Sequence, residues 1–119
     1  MKNLIVILAL FIGTIANAQN KNERATIDVD GVCMMCKDRI EKACIKTKGV
    51  KSAYWHPKTH ELKLIYNARK TTLDKIKQSV ANVGHDTKTI KASPEAYNSL
   101  HECCKYREQS IIDDHKEEE

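Results

Sequence analysis

The sequence predicts an α+β protein, a four-stranded antiparallel sheet with two helices on one face and a short helical tail after it. Three observations carry that prediction. Short stretches alternate apolar and polar residues with period two, and two longer stretches repeat apolar residues every three and four positions. Turn-forming residues punctuate them, so that the elements run β-α-β-β-α-β over residues 25–92. This order is the split βαβ repeat of ferredoxin-like sandwiches.

Ala25 to Val29 alternates, with Ile27 and Val29 on one face, and reads as the first strand; Asp30-Gly31 ends it. Past Cys33-Met34-Met35-Cys36, the residues Ile40, Ala43, Cys44 and Thr47 lie on one helical face, and Gly49 is a natural stop. Val50 to Trp55 is the second strand, with Ala53 and Trp55 on one side. His56-Pro57-Lys58-Thr59-His60 is a turn, because proline fixes φ and removes a donor. Leu62, Leu64 and Tyr66 then share one face of a third strand. Thr71 with Asp74 resembles a helix-start box, followed by Leu73, Ile76, Val80 and Val83 at helical spacing and by Gly84 as a stop. A fourth strand is expected from Thr87 to Ala92, around Ile90.

Length and composition bound the rest. The chain has 119 residues, 41% of them apolar and 30% charged, which suits one small domain and excludes a polytopic membrane protein or a wholly disordered chain. A formal charge of +4 is too mild to indicate nucleic acid. Residues 1–18 read as a secretory signal peptide: Lys2, an apolar run from Leu4 to Ile12, then Ala16-Asn17-Ala18, with cleavage after Ala18. A short membrane anchor is the competing reading. Export to the periplasm of a Gram-negative cell, or secretion, follows, with no membrane attachment after cleavage. Residues 19–24 form a polar leader. Residues 93–107 form a Cys- and His-containing tail, with Ser93-Pro94 as a helix start and Tyr97, Leu100 and Cys104 on one face. Residues 108–119 are acidic and expected to be disordered.

Five cysteines in an exported chain need a reason. Cys33 and Cys36, two residues apart, can put both sulfurs on one ion. They sit between a strand end and a helix start, where free N–H groups favour thiolate. Thiolate selects soft ions, namely Cu(I), Hg(II) or Zn(II). Two surface thiolates fall short of a closed tetrahedral zinc site and suit a low-coordinate ion that must be handed on, with Cu(I) the best fit. The same spacing also serves a structural disulfide or a thiol–disulfide oxidoreductase. Against the oxidoreductase stand the strand order and the absence of a Trp before Cys33.

Gly31-Val32-Cys33-Met34-Met35-Cys36, then Ile40, Glu41, Ala43, Gly49-Val50, Leu62, Leu64, Tyr66, Ile76, Val80 and Gly84-His85, resemble the heavy-metal-associated (HMA) domain over residues 25–92. The family includes copper chaperones, N-terminal modules of copper-pumping ATPases and periplasmic mercury-binding proteins. The whole chain resembles small exported HMA-domain proteins of Bacteroidetes-type bacteria. The resemblance implies a non-enzymatic metal carrier with Cys33 and Cys36 as ligands. It implies a metal ion as cargo and a copper-transporting ATPase or another periplasmic metal protein as partner. A monomer is expected. One departure is visible: only Val32 separates Gly31 from Cys33, so the family's buried loop Met is missing.

Other residues are candidates of lower rank. His85 lies at the turn that the family places over the metal, and could add a third ligand, tune the thiolates or be a solvent-exposed turn histidine. His56 and His60 flank the hairpin turn at the same end; a second ion and ordinary turn polarity are both open. Met34 and Met35 offer soft thioethers, one of them expected to pack inward. Cys44 is expected to be a core thiol. His101, Cys103 and Cys104 could bind metal together, fold back to the main site or form a disulfide elsewhere. Lys37, Arg39, Lys42, Lys46, Lys48 and Lys51 offer a basic face for an acidic partner, or a solvated helix surface.

Overall fold

The computed structural model describes residues 20–117. The expected signal peptide, residues 1–18, lies outside them. Strands β1 (Glu23–Asp28), β2 (Val50–Trp55) and β3 (Glu61–Tyr66) form one antiparallel sheet in the order β1-β3-β2. The register sets Leu62 between Ile27 and Trp55, and Leu64 between Ala25 and Ala53. Directly opposed residues share a face, so these side chains point to one side. Leu62, Leu64 and Tyr66 are buried there while Lys63 is exposed, as the period-two pattern requires.

Helices α1 (Met34–Lys46) and α2 (Leu73–Asn82) cover that face. α1 buries Cys36, Ile40, Ala43 and Cys44. α2 buries Ile76, Val80 and Ala81. Burying each large aliphatic side chain contributes about 1.5–3 kcal/mol. Trp55 is fully buried with them, and its indole N–H donates to the Val29 carbonyl at 2.9 Å, so no donor is stranded. The helix start expected at Thr71 lies one residue later. Thr72 caps α2, its hydroxyl accepting from the Lys75 N–H at 3.3 Å. Thr71 closes the preceding turn instead, donating its N–H to the Asn67 carbonyl at 3.1 Å.

The expected fourth strand does not form among the described residues. Thr87 makes one isolated bridge with Val29. Its N–H donates to the Ile90 carbonyl at 2.9 Å, and its hydroxyl bonds the Ile90 carbonyl and N–H at 3.0 Å each. The Ala92 N–H goes to Asp86 Oδ1 at 2.7 Å. Backbone groups engaged in this loop cannot also ladder along β1. The sheet is therefore three-stranded.

The tail folds back onto the domain. α3 (Pro94–Asn98) is capped by the Ser93 hydroxyl, which accepts from the Ala96 N–H at 3.1 Å. A 3₁₀ turn follows at Glu102–Cys104. Tyr97, Leu100, Cys104 and Tyr106 all join the buried core, although the expected single helical face is split between two elements. The Tyr106 hydroxyl donates to the Gly84 carbonyl at 2.6 Å and accepts from the Asp86 N–H at 3.0 Å. Arg107 grips Asp86 through two bonds of 2.8 and 3.1 Å and lies 4.2 Å from the Tyr97 ring centroid. Residues 108–119, expected to be disordered, instead carry α4 (Gln109–Glu117), with Gln109 bonded to Asp113 at 2.8 Å and His115 Nε2 2.9 Å from the Cys103 carbonyl oxygen. Local i,i+4 pairing and a tertiary anchor offset the acidic repulsion that suggested disorder.

Candidate metal centre

Strand β1 and the loop after it deliver the chain to Cys33, which is the N-cap of α1. Its side chain makes no capping bond, so the sulfur is left for other partners. Gly31 makes the close approach possible: a Cβ there would lie 2.9 Å from the Trp55 ring and 3.1 Å from Cys36 Cβ. The indole thus packs under the loop, where the missing loop Met left a gap in the sequence reading. Met34 and Met35 both stay exposed, contrary to the expectation that one packs inward.

The Cys33 and Cys36 sulfurs lie 3.3 Å apart. Cys36 is fully buried and Cys33 half-buried. The tail brings a third sulfur, Cys104 Sγ, to 3.4 Å from Cys33. Cys103 Sγ is 3.8 Å from Cys104 Sγ and 3.7 Å from the Met35 thioether. The sulfurs of Cys33, Cys103 and Cys104 all lie within 4.8 Å of one another. No disulfide joins the described cysteines. Cys44 is buried in the core and outside this group, with its thiol pushed up to about 12 by burial and by Glu41.

The cluster divides its protons. The Cys36 thiol donates to Cys33, which with the N–H groups of Cys36 and Met35 and the Cys104 thiol brings Cys33 down to about 5 against the opposing effect of burial. Cys36 is raised by that same hydrogen bond and by burial, and keeps its proton. Cys104 is raised by burial, with the Arg39 guanidinium pulling the other way. One thiolate beside neutral thiols is a nucleophilic, soft-donor centre, able to take a metal ion or to enter thiol exchange.

His85 takes a different place from the one expected. It is fully buried, stacked on Tyr106 with ring centroids 5.3 Å apart. Nδ1 lies 2.8 Å from the Asp30 carbonyl oxygen and Nε2 3.5 Å from Arg39 Nη1. Burial, with Arg39 adding, lowers its pKa to about 4. Both ring nitrogens of the neutral imidazole therefore face protein groups: Nδ1–H donates to the carbonyl and Nε2 faces the guanidinium. His85 positions Arg39 rather than joining the group of three sulfurs. His101 is exposed and only starts the 3₁₀ turn. His56 and His60 serve the hairpin: His56 Nδ1 accepts from the Lys58 N–H at 3.1 Å, and His60, at φ 62°, stacks on Trp55. On the basic face, Lys37 pairs with Glu41 and Lys42 with Asp38, which neutralises part of it.

Sequence reasoning missed Arg39 as a neighbour of the sulfurs, and Asp86, Tyr106 and Arg107 as the clamp that holds the tail. Only the tail's unexplained aromatic and basic residues hinted at the clamp.

Residues 26–86 match the heavy-metal-associated domain. A copper-exporting P-type ATPase of Staphylococcus saprophyticus is 33% identical over 62% of this chain and 9% of its own length. The chain thus spans only a small part of that curated relative. The copper chaperone CopZ of Staphylococcus epidermidis is 32% identical over 52% of this chain and 93% of its own length. Among solved structures, the N-terminal domain of a potential copper-translocating P-type ATPase from Bacillus subtilis, in its Cu(I)-loaded state, superposes with a TM-score of 0.54. It is 29% identical and covers 56% of this chain and 85% of that one. With the sandwich and the cysteine loop in place, the chain belongs to the heavy-metal-associated domain family.

Proposed function

We propose that this protein is an exported, non-enzymatic Cu(I) carrier that loads through Cys33 and Cys36 and passes the ion on by ligand exchange. The observation that carries the proposal is the 3.3 Å Cys33–Cys36 sulfur pair at the start of α1, with Cys33 half-buried; its lowered pKa favours the thiolate. A thiolate already formed needs no deprotonation before it binds. An incoming partner sulfur would add before a protein thiolate leaves, which a sulfur open to solvent permits. The copper-related names of the relatives favour Cu(I) over Hg(II) or Zn(II). A copper-transporting P-type ATPase is the partner proposed, met by a monomer in the periplasm or outside the cell once residues 1–18 are cleaved.

The test is a competition titration of the reduced protein with Cu(I) against a chromogenic Cu(I) chelator. The wild type should strip copper from the chelator, Cys33→Ser/Cys36→Ser should lose most of that affinity, and Cys44→Ala should keep it. Unchanged affinity in the loop double mutant would sink the assignment. A second reading, thiol–disulfide exchange by the same pair, draws on the low Cys33 pKa beside a protonated Cys36. Reduction of an insulin disulfide separates the two, since a metal carrier should do little there.

A further inference from the structure

The HMA-matching segment ends at residue 86, so Cys103 and Cys104 lie outside it. Yet the chain returns from 71 residues away to set Cys104 Sγ 3.4 Å from Cys33 Sγ. The return is held independently of any sulfur contact. Tyr106 bonds Gly84 and Asp86, Arg107 bonds Asp86, and Tyr97 and Leu100 are buried in the core. Cys104 is therefore delivered by a built support. The Arg39 guanidinium, facing His85 on one side, reaches the Cys104 sulfur on the other. A cation at the Cys104 sulfur offsets part of the negative charge that three thiolates on one monovalent ion would carry.

The geometry points to a three-thiolate Cu(I) site, Cys33, Cys36 and Cys104, in which the C-terminal segment is a strap that closes over the metal. This inference rests on the carrier reading proposed above and changes its character. A two-sulfur site at a helix start is open to exchange. A third thiolate anchored by a folded segment retains the ion until that segment lifts or an incoming sulfur takes its place. Exposed Cys103, beside the Met35 thioether, lines the rim where such a sulfur would enter.

X-ray absorption at the copper K-edge, on the reduced full chain loaded with one equivalent of Cu(I), reads the coordination without any substitution. Three sulfur neighbours are expected, and two in Cys104→Ala. Loss of a preorganised ligand should also lower Cu(I) affinity by at least the roughly 10- to 100-fold typical of losing an outer-shell partner, and speed release to the chelator correspondingly. Two sulfur neighbours in the wild type would overturn the strap and leave the Cys33–Cys36 carrier standing, with Cys104 as packing. Wild-type affinity and release in Cys104→Ala would do the same. Should that variant fail to fold, the wild-type spectrum alone decides. No copper bound by the wild type would instead defeat the carrier reading itself.

Discussion

Tyr106→Phe removes one oxygen and keeps the ring. That oxygen donates to the Gly84 carbonyl at 2.6 Å and accepts from the Asp86 N–H at 3.0 Å. Tyr106 is 6% exposed and Gly84 and Asp86 are buried, so water cannot replace the lost partner. A buried polar group left unsatisfied costs about 1–3 kcal/mol. Two such groups share one oxygen here, and partial relaxation keeps the expected total at about 2–4 kcal/mol. At 1.4 kcal/mol per factor of ten, opening of the tail becomes about 30- to 700-fold more favourable. Amide hydrogen exchange at Cys104 and Arg107 reads this directly, because their N–H groups bond the His101 carbonyl and the Tyr97 hydroxyl within the tail. If tail and domain unfold together, the same free energy appears in urea unfolding followed by Trp55 fluorescence. A change below about 0.5 kcal/mol in both measurements would refute the view that this hydroxyl locks the tail to the domain.

Three further outcomes follow. In reduced, metal-free protein, alkylation of Cys33 should show a midpoint near pH 5, while Cys44, raised to about 12, stays unreactive at pH 9; a Cys33 midpoint above pH 8 would refute the thiolate assignment. The folded value lies below the ordinary thiol value of about 9. Cys33 therefore adds stability that is complete above pH 9 and is lost as the pH falls through about 5, visible as a declining urea midpoint. Gly84→Ala puts a Cβ at φ +107°, 2.8 Å from the Ala96 carbonyl oxygen and from Leu100 Cδ2, and should cost about 1–3 kcal/mol with a lower melting temperature. An unchanged melting temperature would mean that the tail does not press on that turn.

How far the site could be read in advance depended on sequence distance. Cys33 and Cys36 were found because the spacing, the strand before them and the helix after them are all local. Cys44 was placed in the core by its step along the helix face. Cys104 was one of several open possibilities, since nothing local says where a cysteine 71 residues away will land. His85 was assigned to the correct end of the fold. Its role changed because Tyr106 stacks over it and the Asp30 carbonyl and Arg39 engage its two nitrogens. The acidic end reads as disordered by composition alone, and helix α4 depends in part on an anchor at Cys103.

The amino-acid sequence by itself determined the three strands, the two main helices and the cysteine loop, because period, turn residues and spacing act over a few residues. Tertiary structure alone decided the fourth strand and the third sulfur. Thr87–Ala92 could pair with β1 or curl around Thr87, and Asp86 takes part in the curl by holding the Ala92 N–H. Arg107 grips that same carboxylate and brings the tail with it, and the tail carries Cys104 to Cys33. Those outcomes rest on groups that meet only after the chain has folded, when a buried carboxylate must find its cation.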